Sequence, residues 1–504
     1  MSGAGGRISA VLQLSARYGK QVAVVLAVVL LAAVTGVGVG LGVTAVSSRV
    51  AAARALAAIV PPPAPVVPRP ALRPAALDGP APTPTGVAAV LDPLVAAGGF
   101  GSLSGQVLDP ATGTVLWQRN PNSALVPGST VKLLTASAAL LALDHQARLR
   151  TTVLAGTEPG TVVLRGGGDP TLSAAGYPAA TGYPAAARLD DLVGQVRAAA
   201  RGPISRVLID VSRYAGDALA PGWVAADVAG GYIAPIEPVM LDGGRADPTQ
   251  ENSPRAAKPA TAAAAELARR LGADPDTVAP GAAPPGAAVL GEVSSPAVQD
   301  LVAITLRRSD NVLAEALARE VARKIGAQPS FSGASQAVLT VLRRHGFDIS
   351  GVTLVDGSGL STGDAVPAAL LTALLSAASG PDRPTATKSA ATSSEAAPLD
   401  AASLDDDGFH QSRTAALRSL LVGLPVAGGS GTLSERYHGP TFGGRGWVRA
   451  KTGTLTGVNS LAGTVLDAEG RVLVFALVSN GPNPVVVRPR LDALAVGLRS
   501  CGCH

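Results

Sequence analysis

Three short stretches, Ser129-Thr130-Val131-Lys132, Ser309-Asp310-Asn311 and Lys451-Thr452-Gly453, restrict what this chain can fold into more than any other feature. Each is common alone. Together they ask for a scaffold that brings a helix start, a turn between helices and a strand to one cleft. Lysine is scarce, with Lys20, Lys132, Lys258, Lys324, Lys388 and Lys451 the only six, and the chain holds a single Ser-x-x-Lys. That two of six lysines fall in these stretches is the reason to read the three together.

Bulk properties limit the alternatives. A chain of 504 residues exceeds one ordinary core and points to two or three units. With 59 Gly and 40 Pro, loops and linkers are expected to be numerous. The 41 basic and 36 acidic residues give +5 with no Lys/Arg block, so no nucleic-acid footprint is present. Cys501 and Cys503, the only cysteines, exclude a disulfide scaffold by count and read as a frayed tail. The five histidines show no ligand spacing, and neither a metal nor a cofactor is expected.

Gln21 to Val46 is an uncharged apolar run of 26 residues, about 39 Å long as a helix. It is longer than the roughly 30 Å hydrocarbon core and spans with tilt. Arg7, Arg17 and Lys20 precede it, which favours a cytoplasmic N-terminus. The run reads as a signal-anchor; the competing reading is a cleaved signal cut near Val43-Thr44-Ala45. Either places the rest of the chain outside the cytoplasm. From Pro61 to Gly86 the chain is Pro-rich and expected to stay extended as a stalk of up to roughly 80 Å. A low-complexity stretch near 381–411 reads as a disordered insertion.

Gly105–Leu108 and Val115–Gln118 predict a hairpin, and a helix is expected to begin at Ser129. Val298–Leu306 and Val312–Ile325 predict helices flanking a Ser309-Asp310-Asn311 turn. Trp447–Leu455, Ser460–Leu466 and Val472–Val478 predict antiparallel strands, followed by a helix over Val486–Leu498. The chain thus divides into a cytoplasmic end (1–20), a membrane anchor (21–46), a linker (47–90), a catalytic body (91–149 and 296–500) and an inserted mixed α/β unit (150–295).

A serine hydroxyl is a weak nucleophile until a base takes its proton. Ser129 and Lys132, three apart on a helix, share a face, so backbone geometry alone holds them within reach. A lysine with its usual pKa near 10.4 is a poor base at neutral pH, so Lys132 must be desolvated or sit beside another cation, for which Lys451 is the candidate. Ser309 is read as a proton relay to the leaving amine and Asn311 as a holder of the substrate amide. Lys451 and Thr452 are expected to grip a carboxylate, with Gly453 admitting a ligand backbone. The N–H groups of Thr454 and Ser129 are assigned to an oxyanion hole. A second serine, in Gly359-Leu360-Ser361-Thr362-Gly363, matches a nucleophile elbow, but the strand expected over Val352–Val355 ends in Asp356-Gly357-Ser358-Gly359, which is turn chemistry, instead of running straight into the serine.

The chain resembles a class C, type-4 penicillin-binding protein of actinobacterial style. Ser309-Asp310-Asn311-Val312-Leu313-Ala314-Glu315 resembles that family's extended second motif. Gly166-Gly167-Gly168-Asp169-Pro170-Thr171-Leu172, Val355-Asp356-Gly357-Ser358-Gly359-Leu360-Ser361, Leu424-Pro425-Val426-Ala427, Gly431-Thr432-Leu433 and Gly230-Gly231-Tyr232-Ile233-Ala234-Pro235 resemble further stretches of it. The resemblance implies a transpeptidase/β-lactamase-like antiparallel sheet flanked by helices. It implies a serine D-Ala-D-Ala carboxypeptidase, in some relatives an endopeptidase, that acts on peptidoglycan stem peptides and is acylated by β-lactams at Ser129. A class A β-lactamase uses the same three motifs, but 180 residues separate the first two here, and no Asn between Asn311 and Asn459 supplies the Glu-x-x-Leu-Asn those enzymes need. A non-catalytic wall-binding scaffold is the remaining alternative.

Overall fold

The computed structural model describes residues 80–381, 413–481 and 484–503. The apolar run, the Pro-rich stretch before residue 80 and the 381–411 insertion beyond its first residue lie outside them. Among the described residues no helix is long and apolar enough to cross a membrane.

The first element is helix α1 (Pro84–Ala96), where the sequence predicts extended linker as far as residue 90. The local reason is a cap. The Thr83 side chain accepts the Gly86 N–H at 3.1 Å, and Pro84 sits where a helix needs no N–H. Val87, Leu91 and Val95, four residues apart, then bury one stripe. Strands β1 (Ser102–Leu108) and β2 (Val115–Arg119) form the expected hairpin, and β3 (Ala124–Leu125) leads through a 3-10 turn, Gly128–Val131, into α2 (Lys132–Ala142).

Residues 148–297 build a second sheet from β4 (Arg148–Ala155), β5 (Thr161–Arg165), β6 (Arg206–Asp210), β7 (Ala279–Pro280) and β8 (Val289–Ala297), in the order β7-β6-β5-β4-β8. It is mixed: β4 pairs antiparallel with β5 and β8, while β5–β6 and β6–β7 are parallel. Helices α3 (Leu189–Ala199) and α5 (Pro259–Leu271) close a separate core over it, with the five-residue α4 (Ala225–Ala229) between them in sequence.

The chain then returns as α6 (Val298–Arg308), α7 (Asn311–Lys324), α8 (Phe331–Arg344), β9 (Val366–Pro367), α9 (Ala368–Ser379) and α10 (Arg413–Gly423). Strands β10 (Val448–Leu455), β11 (Val458–Leu466) and β12 (Val472–Asn480) follow, and α11 (Pro484–Arg499) comes last. The main sheet runs β10-β11-β12-β1-β2 and is antiparallel throughout, so the two ends of the folded chain share it. Alternation along β12 feeds two cores: Val474, Ala476 and Val478 face α2 and the α6–α10 helices, while Leu473, Phe475 and Leu477 face α1 and α11. This is a mixed α/β fold with helices on both faces of an antiparallel sheet.

Two smaller expectations change. Val352–Val355 forms no strand; only Thr353 pairs, with Ala365, in an isolated bridge. The tail is docked rather than frayed. Cys501 is buried and bonded to Cys503, whose carbonyl accepts the Thr83 N–H at 2.6 Å. A side chain at Gly86 would meet Cys503 at 2.8 Å, so the helix start and the tail are fitted to each other.

Candidate active site

Ser129 lies in the 3-10 turn rather than in the α-helix itself, and Lys132 is the first residue of α2. The turn is held from β11. Ser460 Oγ donates to the Pro127 carbonyl at 2.6 Å, and so does Thr130 Oγ1 at 2.8 Å. Gly128 takes φ +54°, which favours glycine there.

Lys132 is fully buried and its amine makes three bonds: to Ser129 Oγ at 3.0 Å, Asn311 Oδ1 at 2.5 Å and the Ser358 carbonyl at 2.6 Å. Burial pulls its pKa down to about 8, against the carboxylates of Asp356, Glu315, Asp310 and Asp364, which favour the charged amine. Burial, rather than a second cation, is thus the leading cause. Lys451 is itself held well below its ordinary value, first by burial and then by the Lys132 charge, with Glu251 opposing. The lysine that gives up its proton first feels the other's charge, and the second titrates beside a neutral amine.

The Ser309-Asp310-Asn311 turn does two jobs at once. Ser309 closes α6 in the left-handed region at φ +57°, and Asp310 caps α7 by accepting the Leu313 N–H at 2.9 Å. That conformation turns Ser309 and Asn311 toward one cleft. Ser309 Oγ accepts from Lys451 Nζ at 2.8 Å, while Asn311 accepts from Lys132 and donates Nδ2 to the Tyr232 carbonyl at 2.9 Å. Asp310 points the other way, onto Tyr183 Oη at 2.8 Å and Arg245 Nη2 at 3.0 Å. Burial would raise its carboxyl, but Arg245, Arg255 and the bonds from Leu313 and Tyr183 outweigh burial and hold it at about 2.

Lys451, Thr452 and Gly453 occupy β10, the edge of the main sheet. Thr452 Oγ1 is 2.8 Å from Thr432 Oγ1. Gly453 is needed for a reason additional to the one expected. A Cβ there would collide with Ser460 Oγ and the Pro127 carbonyl and come 3.1 Å from the Ser129 N–H. The turn that carries Ser129 itself makes a close approach here. A Cβ at Gly128 would likewise lie 3.1 Å from the Thr454 nitrogen, so the Ser129 and Thr454 amides flank one glycine contact. All eight residues singled out in the sequence therefore gather around Ser129.

Sequence reasoning missed the layer behind Lys132. Gly357 N–H donates to both Glu315 oxygens, at 2.9 and 3.1 Å, and Thr135 Oγ1 donates to the Gly357 carbonyl at 2.6 Å. Asp356 accepts the Ser358 and Gly359 N–H groups at 2.9 and 2.5 Å, fixing the turn that presents the Ser358 carbonyl to Lys132. Gly359, at φ +79°, packs so closely on the Gly128 carbonyl that any side chain would collide. Burial, reinforced by Asp356, pushes Glu315 up to about 8, and the same two causes raise Asp364. Ser361 is a buried member of this turn, donating its N–H to Asp356 at 2.7 Å, so the second serine motif is structural. The signals were present only as residue identities in the Asp356-Gly357-Ser358-Gly359 and Glu315 stretches. Among the described residues no three His, Cys, Asp or Glu side chains group to hold a metal ion.

A family model described as the D-Ala-D-Ala carboxypeptidase 3 (S13) family matches residues 87–256, 249–392 and 404–500. Carboxypeptidase DacB of Mycolicibacterium smegmatis is 44% identical over 485 residues, covering 93% of this chain and 98% of the relative. Carboxypeptidase Rv3627c of Mycobacterium tuberculosis is 44% identical over 453 residues, covering 88% and 90%. Among solved structures, penicillin binding protein 4 (dacB) from Haemophilus influenzae superimposes with a TM-score of 0.61 at 21% identity, over 81% of this chain and 98% of that one. At that identity the structural match speaks for the fold.

Proposed function

We propose a mechanism for a chain that belongs to the D-Ala-D-Ala carboxypeptidase 3 (S13) family and is a serine-type D-Ala-D-Ala carboxypeptidase. The observation that carries it is the 3.0 Å bond between Lys132 Nζ and Ser129 Oγ, in a site where Ser309, Asn311 and Lys451 converge.

A neutral Lys132 takes the Ser129 proton as Oγ adds to the carbonyl of the D-Ala-D-Ala bond. The oxyanion forms against the Ser129 and Thr454 N–H groups. Ser309, bonded to Lys451, passes its proton to the leaving nitrogen and is reprotonated by the proton Lys132 took, which leaves Lys132 neutral again; the C–N bond breaks, D-alanine departs, and an ester on Ser129 remains. In the second half Lys132 takes a proton from water as its oxygen adds to the ester; the bond from the acyl carbon to Ser129 Oγ breaks, Lys132 returns the proton to Oγ, and the shortened stem peptide leaves. Asn311 holds the substrate amide. Lys451 and Thr452 bind the terminal carboxylate, whose charge returns the buried Lys451 to its ammonium form. The substrate is the peptidoglycan stem peptide, and a β-lactam acylates Ser129 by the same first step. Transfer from a D-alanyl cross-link would need only a different leaving amine.

The apolar run 21–46 as an anchor, with the catalytic body held outside the cytoplasm, completes this reading. The test is intact mass after exposure to penicillin, with Ser129→Ala alongside. A persistent adduct on the parent alone supports the reading. Drug loss with no adduct would indicate a β-lactamase-type hydrolase, and intact drug with no adduct a scaffold.

A further inference from the structure

Lys132 has two fixed acceptors besides Ser129, and one segment holds both from behind. Asn311 is fastened through its Nδ2 to the Tyr232 carbonyl at 2.9 Å. Ser358 is fastened through Asp356, whose Oδ1 gathers the Ser358 and Gly359 N–H groups and whose Oδ2 accepts the Trp223 indole N–H at 2.9 Å. Trp223 and Tyr232 bracket α4, nine residues apart and far in sequence from every catalytic motif. Helix α4 buries none of its residues, Val224 and Tyr232 are about half exposed, yet the indole itself is buried edge-on against Phe331. An otherwise surface segment thus sends one buried hydrogen-bond donor inward, to a buried carboxylate two residues from the carbonyl that Lys132 contacts.

We propose that residues 223–232 form a brace that aims the Lys132 amine at Ser129, with Trp223 acting through Asp356 and the Tyr232 carbonyl acting through Asn311. Trp223 and Asp356 are positioning residues: neither touches the reacting atoms. The proposal rests on Lys132 being the base, as argued above. The segment that the fold inserts between the first two motifs is therefore part of how the enzyme reaches its rate, and not only a spacer or a wall of the cleft.

The charges around Lys132 give the brace a signature that packing alone lacks. Lys132 faces Asp310 and Glu315 from the start of α7, Asp356 and Asp364 from the loop before β9, and Lys451 from β10. Asp356 is the foremost of the carboxylates favouring the charged amine. Removing its charge in Asp356→Asn lets Lys132 lose its proton more readily, so the acid limb of the acylation rate moves to lower pH. Removing only the indole donor in Trp223→Phe leaves the Asp356 charge less offset, and the limb moves to higher pH.

The experiment is the penicillin acylation rate of the full chain against pH for the parent, W223F, D356N and the double variant, with thermal unfolding of each. W223F keeps an aromatic ring against Phe331. Its expected effect is about tenfold slower acylation, the size set by one hydrogen bond to a charged group. Its limb rises, that of D356N falls, and adding W223F to D356N changes nothing further, because the indole has lost its target. Additive losses would overturn the proposal, as would a W223F limb that stays or falls, or a rate loss that merely follows a lowered Tm. If D356N does not fold, the W223F limb decides alone. Failure of the parent to acylate would instead bring down the assignment of Lys132, and the brace with it.

Discussion

With burial drawing Lys132 down to about 8, the base form is the minority below that pH and the majority above it. The acylation rate is therefore expected to rise about tenfold per pH unit below about 8 and to level off above it. Lys132→Arg removes both the limb and nearly all the rate; a parent profile flat from pH 6 to 9 would contradict this. Glu315, pushed up to about 8, mostly holds its proton at pH 7, so Glu315→Gln is expected to leave Tm there almost unchanged. By removing a carboxylate that favours the charged Lys132 amine as the pH rises, it is expected to move the acid limb of acylation to lower pH. Glu315→Ala orphans the Gly357 N–H and is expected to cost about 1–3 kcal/mol in thermal unfolding. The Ser129–Lys132 pair was legible because helical geometry fixes residues three apart. The carboxylates were not, because Glu315 and Asp356 lie 41 residues apart in the sequence and meet only through a turn with no regular period.

At the scale of elements, the helices around Ser309 were legible because α6 and α7 each carry an apolar stripe and a polar one. Helix α1 was missed because its start is written in prolines, which read as linker until Thr83 is seen capping it. Thr83→Ala is expected to cost about 1 kcal/mol. A soluble fragment beginning at residue 87 discards that cap and the bond to Cys503, and should melt below one beginning at 80; equal melting would show the cap to be idle. Gly359→Ala tests the fit between two turns. Any side chain there collides with the Gly128 carbonyl, so acylation should be lost while the far-UV spectrum is kept.

Over the whole molecule, the order of the three motifs told more than any prediction of strands. It placed a helix start, a turn and an edge strand together across 322 residues, and the structure does the same. The inserted mixed α/β unit was read from the interval between motifs and its short strands among turns, but the pairing of its sheet could not be read from strands this short. That sheet's loops reach the catalytic turn through Arg245, whose guanidinium meets Asp310 with both side chains buried. Arg245→Met leaves the Asp310 charge buried among fewer partners and is expected to cost about 3–5 kcal/mol, with loss of acylation. A variant that kept the parent Tm would show the pair to be dispensable.

The bond from Thr83 to Cys503 ties the beginning of the folded body to its end, on the α1–α11 side of the main sheet, away from the core beneath Lys132. A tether attached ahead of residue 80 would deliver its tension first to that seam, while the core beneath Lys132 lies on the other face of the sheet. The same adjacency makes the chain a natural ring with one cut: joining 503 to 80 through a short linker and opening a surface loop elsewhere should leave penicillin acylation intact.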